Sequence, residues 1–188
     1  MTGILGGTIG SYATTVASTN SFESIATYSL SSATSSVTFS SIPTTYKHLQ
    51  IRTMIMNSSV QNNFTVNING DFGTNYASQQ VQHTGSTATR NSNGGLTSMV
   101  YFGLVEPSSL FPFTSVIDIL DYQSTSKNKS VRGLSGQDGN GTGTITNWRI
   151  QQSSGLWYNT AAVTSVTLSI PSQTMGQYSS IALYGIKG

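Results

Sequence analysis

Asp118 and Asp121, in the stretch IDILDY, are the one close pair of carboxylates in the chain, and paired carboxylates are what acid–base cleavage of a glycoside requires. Extended backbone sends residues three apart to opposite faces, so this pair is not expected to act on one bond. The plainer expectation is two strand or strand-end carboxylates, matched across a hairpin to cations among Lys127, Lys129 and Arg132. His48 and His83 stand on the polar sides of their strands, outside any HxH or HExxH spacing, which points away from zinc. Serine is abundant, yet no G-x-S-x-G elbow places one beside a base. DGNGTG at 138–143 opens like a calcium loop but lacks the distal Glu, and it lacks the Lys and Ser/Thr of a phosphate loop. Trp148, Trp157 and Tyr158 fit a sugar-stacking platform, core packing or a subunit contact alike. The residues therefore predict no catalytic constellation, no metal and no cofactor: not an enzyme.

The elements that must carry these side chains are strands. Only 7% of the 188 residues are charged, whereas Ser, Thr, Asn and Gln make up 81 of them. A helical surface would use Glu, Lys and Ala, while Thr and Ser suit strands and turns. Aromatic residues at 10%, arriving in short spaced bursts with β-branched ones, separate this chain from a disordered one. The net charge of +2 is small and scattered, which excludes a nucleic-acid footprint. With no cysteine there is neither a disulfide framework nor a thiolate metal site. No basic, apolar leader opens the sequence and no apolar run is long enough for a membrane helix, so no membrane partner is expected.

About ten strand-like segments follow one another from residue 21. KHLQIRTMIM places Leu49, Ile51 and Ile55 on one face; NFTVNING does the same with Phe64, Val66 and Ile68 before the tight-turn signal NGDFG; AVTSVTLSI repeats it with Val166, Leu168 and Ile170. YASQQVQH reads as a polar edge strand, and residues 84–96 as the longest loop. LTSMVYFGLV and SVIDILDY are apolar on both faces and read as strands inside a packed layer. KSVRGLSG and TITNWRIQ flank the Gly-rich turn. Turn signals every eight to twelve residues predict an all-β fold: a two-sheet antiparallel β-sandwich, jelly-roll-like, over 21–188. Residues 1–20 have no sustained period. They read either as a frayed end or as an extended N-terminal arm that binds a partner through Ile4, Leu5, Ile9 and Tyr12.

SFESIAT, SIPTTYKHLQIR, VIDILDYQSTSKNKSVRGLSG, SGLWYNTAAVTSVTLSI and QYSSIALYGIKG, in this order, resemble small virion-associated proteins of tailed bacteriophages and prophages, notably phages of aquatic and cyanobacterial hosts. The resemblance covers residues 21–188, more weakly between about 57 and 110, and brings no catalytic or metal residues with it. It implies a structural protein of the virion, assembled in the host cytoplasm. The leading role it implies is a capsid decoration (cement) protein that binds the major capsid protein and itself, as a homotrimer, with the arm reaching over the shell or a neighbour. The alternative is a tail-fibre or receptor-binding head that contacts other tail proteins and reads host glycans. A glycan-processing enzyme, the third reading, lacks a usable carboxylate pair.

The last twelve residues, QYSSIALYGIKG, carry Ile181 and Leu183 on one side and Ala182, Tyr184 and Ile186 on the other, as an interior strand does. Removal of residues 178–188 is expected to abolish soluble folding, read by circular dichroism and gel filtration; a soluble, folded truncation would count against the sandwich.

Overall fold

Alternation in HLQIRTMIMN fixes which way its strand faces: Leu49, Ile51 and Ile55 are fully buried, whereas Arg52 and Met54 are exposed. The same period organises a computed structural model that describes residues 21–57, 61–84, 87–138 and 149–188. Thirteen strands appear among them: β1 (Phe22–Ser29), β2 (Ser36–Phe39), β3 (His48–Asn57), β4 (Asn62–Asn63), β5 (Thr65–Ile68), β6 (Tyr76–Thr84), β7 (Thr87–Leu96), β8 (Leu104–Val105), β9 (Ser108–Ile119), β10 (Lys129–Gln137), β11 (Arg149–Trp157), β12 (Val166–Ser169) and β13 (Ser180–Ile186). The proposed arm, with Ile4, Leu5, Ile9 and Tyr12, lies outside the described residues, as do Trp148 and all of the 138–143 turn beyond Asp138.

Two antiparallel sheets face each other, as the sequence predicts, but they are unequal. One has eight strands in the order β1-β13-β3-β9-β10-β11-β6-β7; the other has three, β2-β12-β5; a short ribbon pairs β4 with β8. The terminal strand β13 lies between β1 and β3, inside the large sheet. Val37, Phe39, Val66, Ile68, Val166 and Leu168 of the small sheet join Leu49, Ile51, Ile117, Ile119, Ile181 and Leu183 of the large one in a single core. Each such side chain contributes about 1.5–3 kcal/mol on burial.

Three strands cannot cover eight. The inner face of β10, β11 and β6 is instead closed by residues 97–105, and here the structure departs from the sequence reading. LTSMVYFGLV is not an interior strand. Met99 makes one two-way bridge with Val66, Phe102 N–H donates to Phe64 O at 3.2 Å, and only Leu104–Val105 pair as a strand. Positive φ at Tyr101 (70°) and Gly103 (150°) breaks the extended run. The segment is rich in apolar residues because Met99, Phe102 and Val105, three apart, all plug inward. Glycine makes the close approach feasible: a Cβ on Gly155 would lie 2.5 Å from Met99 Sδ, and one on Gly133 would lie 2.8 Å from Phe102 Cδ1.

Two side chains under this plug donate to its backbone. Gln151 Nε2 donates to Tyr101 O at 2.5 Å, and Ser153 Oγ donates to the same carbonyl. Nearby, Arg149 and Glu106 form a buried ion pair at 2.8 Å, extended by Gln61 and by Gln82 at 3.3 Å. Lys129, also buried, spends its three protons on Ser124 O (2.6 Å), Lys127 O (2.9 Å) and Thr160 O (3.1 Å).

Two further expectations are corrected. Residues 87–96 are not loop but the edge strand β7, and YASQQVQH is the strand beside the edge rather than the edge itself. Backbone pairing needs no apolar period, so a strand exposed along almost its whole length left no signal. The NGDFG turn does form, with φ of 54° at Asn69 and 63° at Gly70, but it leads from one sheet to the other instead of closing a hairpin. Asn69 is tied down: Oδ1 accepts from Thr164 N–H (2.8 Å) and Ser165 N–H (3.0 Å), and Nδ2 donates to Ala162 O (2.8 Å).

Gly155→Ala should destabilise the fold by about 1–3 kcal/mol through overpacking against Met99. Gly94→Ala on β7, where a Cβ meets nothing within 4 Å, should cost far less. Urea denaturation of the two variants makes the comparison, and equal midpoints would show that the plug is loose.

Candidate functional site

The inner face of the large sheet is spent on the core, which leaves its outer face. Cross-strand register orders that face into rows that run across β3, β9, β10, β11, β6 and β7. The middle row reads Arg52, Val116, Leu134, Gln152, Val81 and Arg90. On one side of it lie Gln50, Asp118, Arg132, Ser154, Gln79 and Ser92; on the other lie Met54, Thr114, Gly136, Ile150, His83 and Ala88. Ile150 is 66% exposed, Val81 56%, Leu134 53% and Met54 42%. Isolated exposed apolar residues are ordinary, but contiguous ones mark contact surfaces.

The face is hollowed into three adjoining open troughs of about 890, 550 and 400 Å³. Val116 and Leu134 line both the first and the third, while Thr114, Gly136 and Ile150 line both the second and the third. Three of the four arginines stand in these rows, and no lysine or glutamate does. Arginine and methionine enriched, lysine and glutamate depleted, apolar at the centre: that is the composition of a protein–protein contact.

The charges on the face are held in place. Asp118 accepts from Gln50 Nε2 at 2.9 Å and lies 3.7 Å from Arg132 Nη2. Arg52 Nε donates to Gln50 Oε1 at 2.8 Å, and its guanidinium stacks on Phe22 (5.6 Å) and Tyr184 (5.1 Å). Sequence reading missed this face. Its signal was present, since Met54, Val116, Leu134 and Ile150 are apolar at positions whose parity should be polar, but two-sided apolarity registers only in SVIDILDY, around Val116, where it reads as burial on both faces. No described residue covers the outer side: Val116 is 37% exposed.

The residues that the sequence singled out for chemistry do not converge. Asp118 is on the outer face, while Asp121 lies past the end of β9 at φ 46°. Lys127 (2.5 Å) and Lys47 (3.1 Å) flank the Asp121 carboxylate and hold its pKa down to about 2, and its N–H donates to His48 Nδ1 at 2.9 Å. The expected cross-hairpin partners are therefore found for Lys127 and Arg132, whereas Lys129 bonds carbonyls. Burial pulls its ammonium pKa below the usual lysine range. Trp157 is in the core; its Nε1 donates to Asp71 Oδ2 at 2.7 Å and, with Asn75 and Gly73 N–H, depresses the Asp71 pKa. Burial raises the neighbouring Tyr76 hydroxyl to about 12. Of the three suggested platform aromatics, Tyr158 alone is described as exposed. Among the described residues no three His, Asp or Glu side chains group closely enough to hold a metal ion.

No family model, curated protein or solved structure matches the chain.

An aspartate ordinarily titrates near 3.8, and Asp121 does so at about 2 in the folded protein. A depressed folded pKa stabilises above the unfolded value and is lost as pH falls through the folded one. The melting temperature should therefore drop as pH falls from about 4 to about 2. Asp121→Asn should flatten that slope while lowering the melting temperature at pH 7, and an unchanged slope would sink the assignment.

Proposed function

We propose that the chain is a structural protein of a bacteriophage particle, a capsid decoration protein that docks on the shell through the outer face of its large sheet. The observation that carries this reading is that face: broad, open, apolar at its centre, with arginine in place of lysine and glutamate. The likeness of residues 21–188 to phage virion proteins supports it. So does the economy of charge elsewhere, since Glu23 with Lys187, Glu106 with Arg149, and Asp121 with Lys47 and Lys127 are matched within the chain. A rigid framework that spends its charges internally leaves recognition to one surface. The receptor-binding head, the second role, has weaker support because Trp157 is committed to the core and no Phe, Tyr or Trp stands in the three outer rows.

Location and copy number decide between the two. In purified virions a decoration protein is present at a level comparable to the shell protein and lies on the capsid in an electron-microscopy map; a fibre head is scarce and lies on the tail. Leu134→Asp and Ile150→Asp replace exposed side chains, so both variants should fold normally yet fail to sediment with particles stripped of the protein. Deletion of residues 2–12 tests the arm in the same assay. Full binding by both aspartate variants would remove the outer face from the reading.

A further inference from the structure

Among the four arginines, two are matched to carboxylates and two are not. Arg132 has Asp118 at 3.7 Å and Arg149 has Glu106 at 2.8 Å. Arg52 and Arg90 meet no carboxylate among the described residues, and they stand at opposite ends of the same row. Five strand steps separate them, roughly 24 Å along the sheet at the usual strand spacing. Between them lie Val116, Leu134, Gln152 and Val81. Arg52 is ordered in advance, pinned to Gln50 and stacked on Phe22 and Tyr184, so little side-chain entropy is left to lose when its outer nitrogens meet an anion. Planar guanidinium groups suit bidentate capture of carboxylates.

We infer that Arg52 and Arg90 are a two-point clamp for a partner protein surface that is apolar at its centre and carries two carboxylates about 24 Å apart. The inference rests on the decoration reading and specifies the shell surface it requires. Charge decides the choice of occupant. A second copy facing this one would bring its own Arg52 and Arg90, with Asp118 already engaged, and so would repel. A nucleic-acid duplex carries one charge per about 1.7 Å of axis and would lay most of its phosphates against Val116, Leu134 and Val81. An acidic protein surface satisfies both the arginines and the apolar centre.

The test is sedimentation of the full chain with phage particles stripped of it, at low and moderate salt. Arg52→Gln and Arg90→Gln should each weaken binding about tenfold and the double variant about a hundredfold, because well-separated sites add. The double variant should also lose most of the salt dependence. Lys47→Gln, which removes the same charge away from the face, should stay within about twofold of the parent. Arg90 lies on an exposed edge strand, so its variant remains informative even if loss of the Arg52 stacking disturbs folding. Parent-like binding by both arginine variants overturns the clamp and leaves the decoration reading standing. Failure of the unaltered protein to bind particles overturns both. Retention on duplex DNA that the double variant abolishes, or a dimer that it stabilises, overturns the clamp in favour of phosphate recognition or self-association.

Discussion

Met99 and Phe102 approach the backbone of β11 and β10 so closely that no side chain fits between, and much else depends on it. An eight-stranded sheet opposite a three-stranded one leaves inner surface bare. Residues 97–105 close it with no ladder beyond the two-residue pairing of Leu104–Val105, which is feasible because Gly133 and Gly155 present no side chain there. The segment's carbonyls then need donors, and Gln151 and Ser153 serve Tyr101 from the sheet. These donors are paired although Gln151 Oε1 meets no hydrogen-bond partner among the described residues, and a polar interior specifies one arrangement more strictly the more fully it is paired. The positions of β10 and β11 fix the outer rows in turn, because every outward side chain is the neighbour of an inward one that the plug constrains.

Much of the sandwich was legible, and the reasons are local. Where one face meets the core and the other meets polar surroundings, as in β3 with Leu49, Ile51 and Ile55, period two reads directly as orientation. The interior place of β13 was readable from apolar residues on both of its sides. Two kinds of element were not. β7 has no apolar face, so its ten residues looked like loop. The 97–105 segment has apolar residues at every turn, so it looked like strand. Pattern reports burial, and in both cases burial and strand geometry part company.

The outer face illustrates the opposite ambiguity. Val116 and Leu134 were visible as apolar residues on the wrong parity, but parity alone does not say whether a layer of the same chain or a different molecule lies over them. Charge did not help either, because a net of +2 conceals its distribution. Only cross-strand register, which aligns residues as distant as Arg52 and Arg90 on one row, separates the arginines that are answered from those that are not.

The turn at Asn69–Gly70 carries a chemical consequence. An asparagine followed by glycine ages readily, because the glycine nitrogen attacks the unhindered side-chain carbonyl, closes a succinimide and expels ammonia. Here the carboxamide is turned away and moored, its oxygen by Thr164 and Ser165 and its nitrogen by Ala162. The ring cannot close without breaking those bonds. The Asn69 amide is thus shielded from this ageing, whereas Asn93, which also precedes a glycine, lies on the exposed edge strand β7.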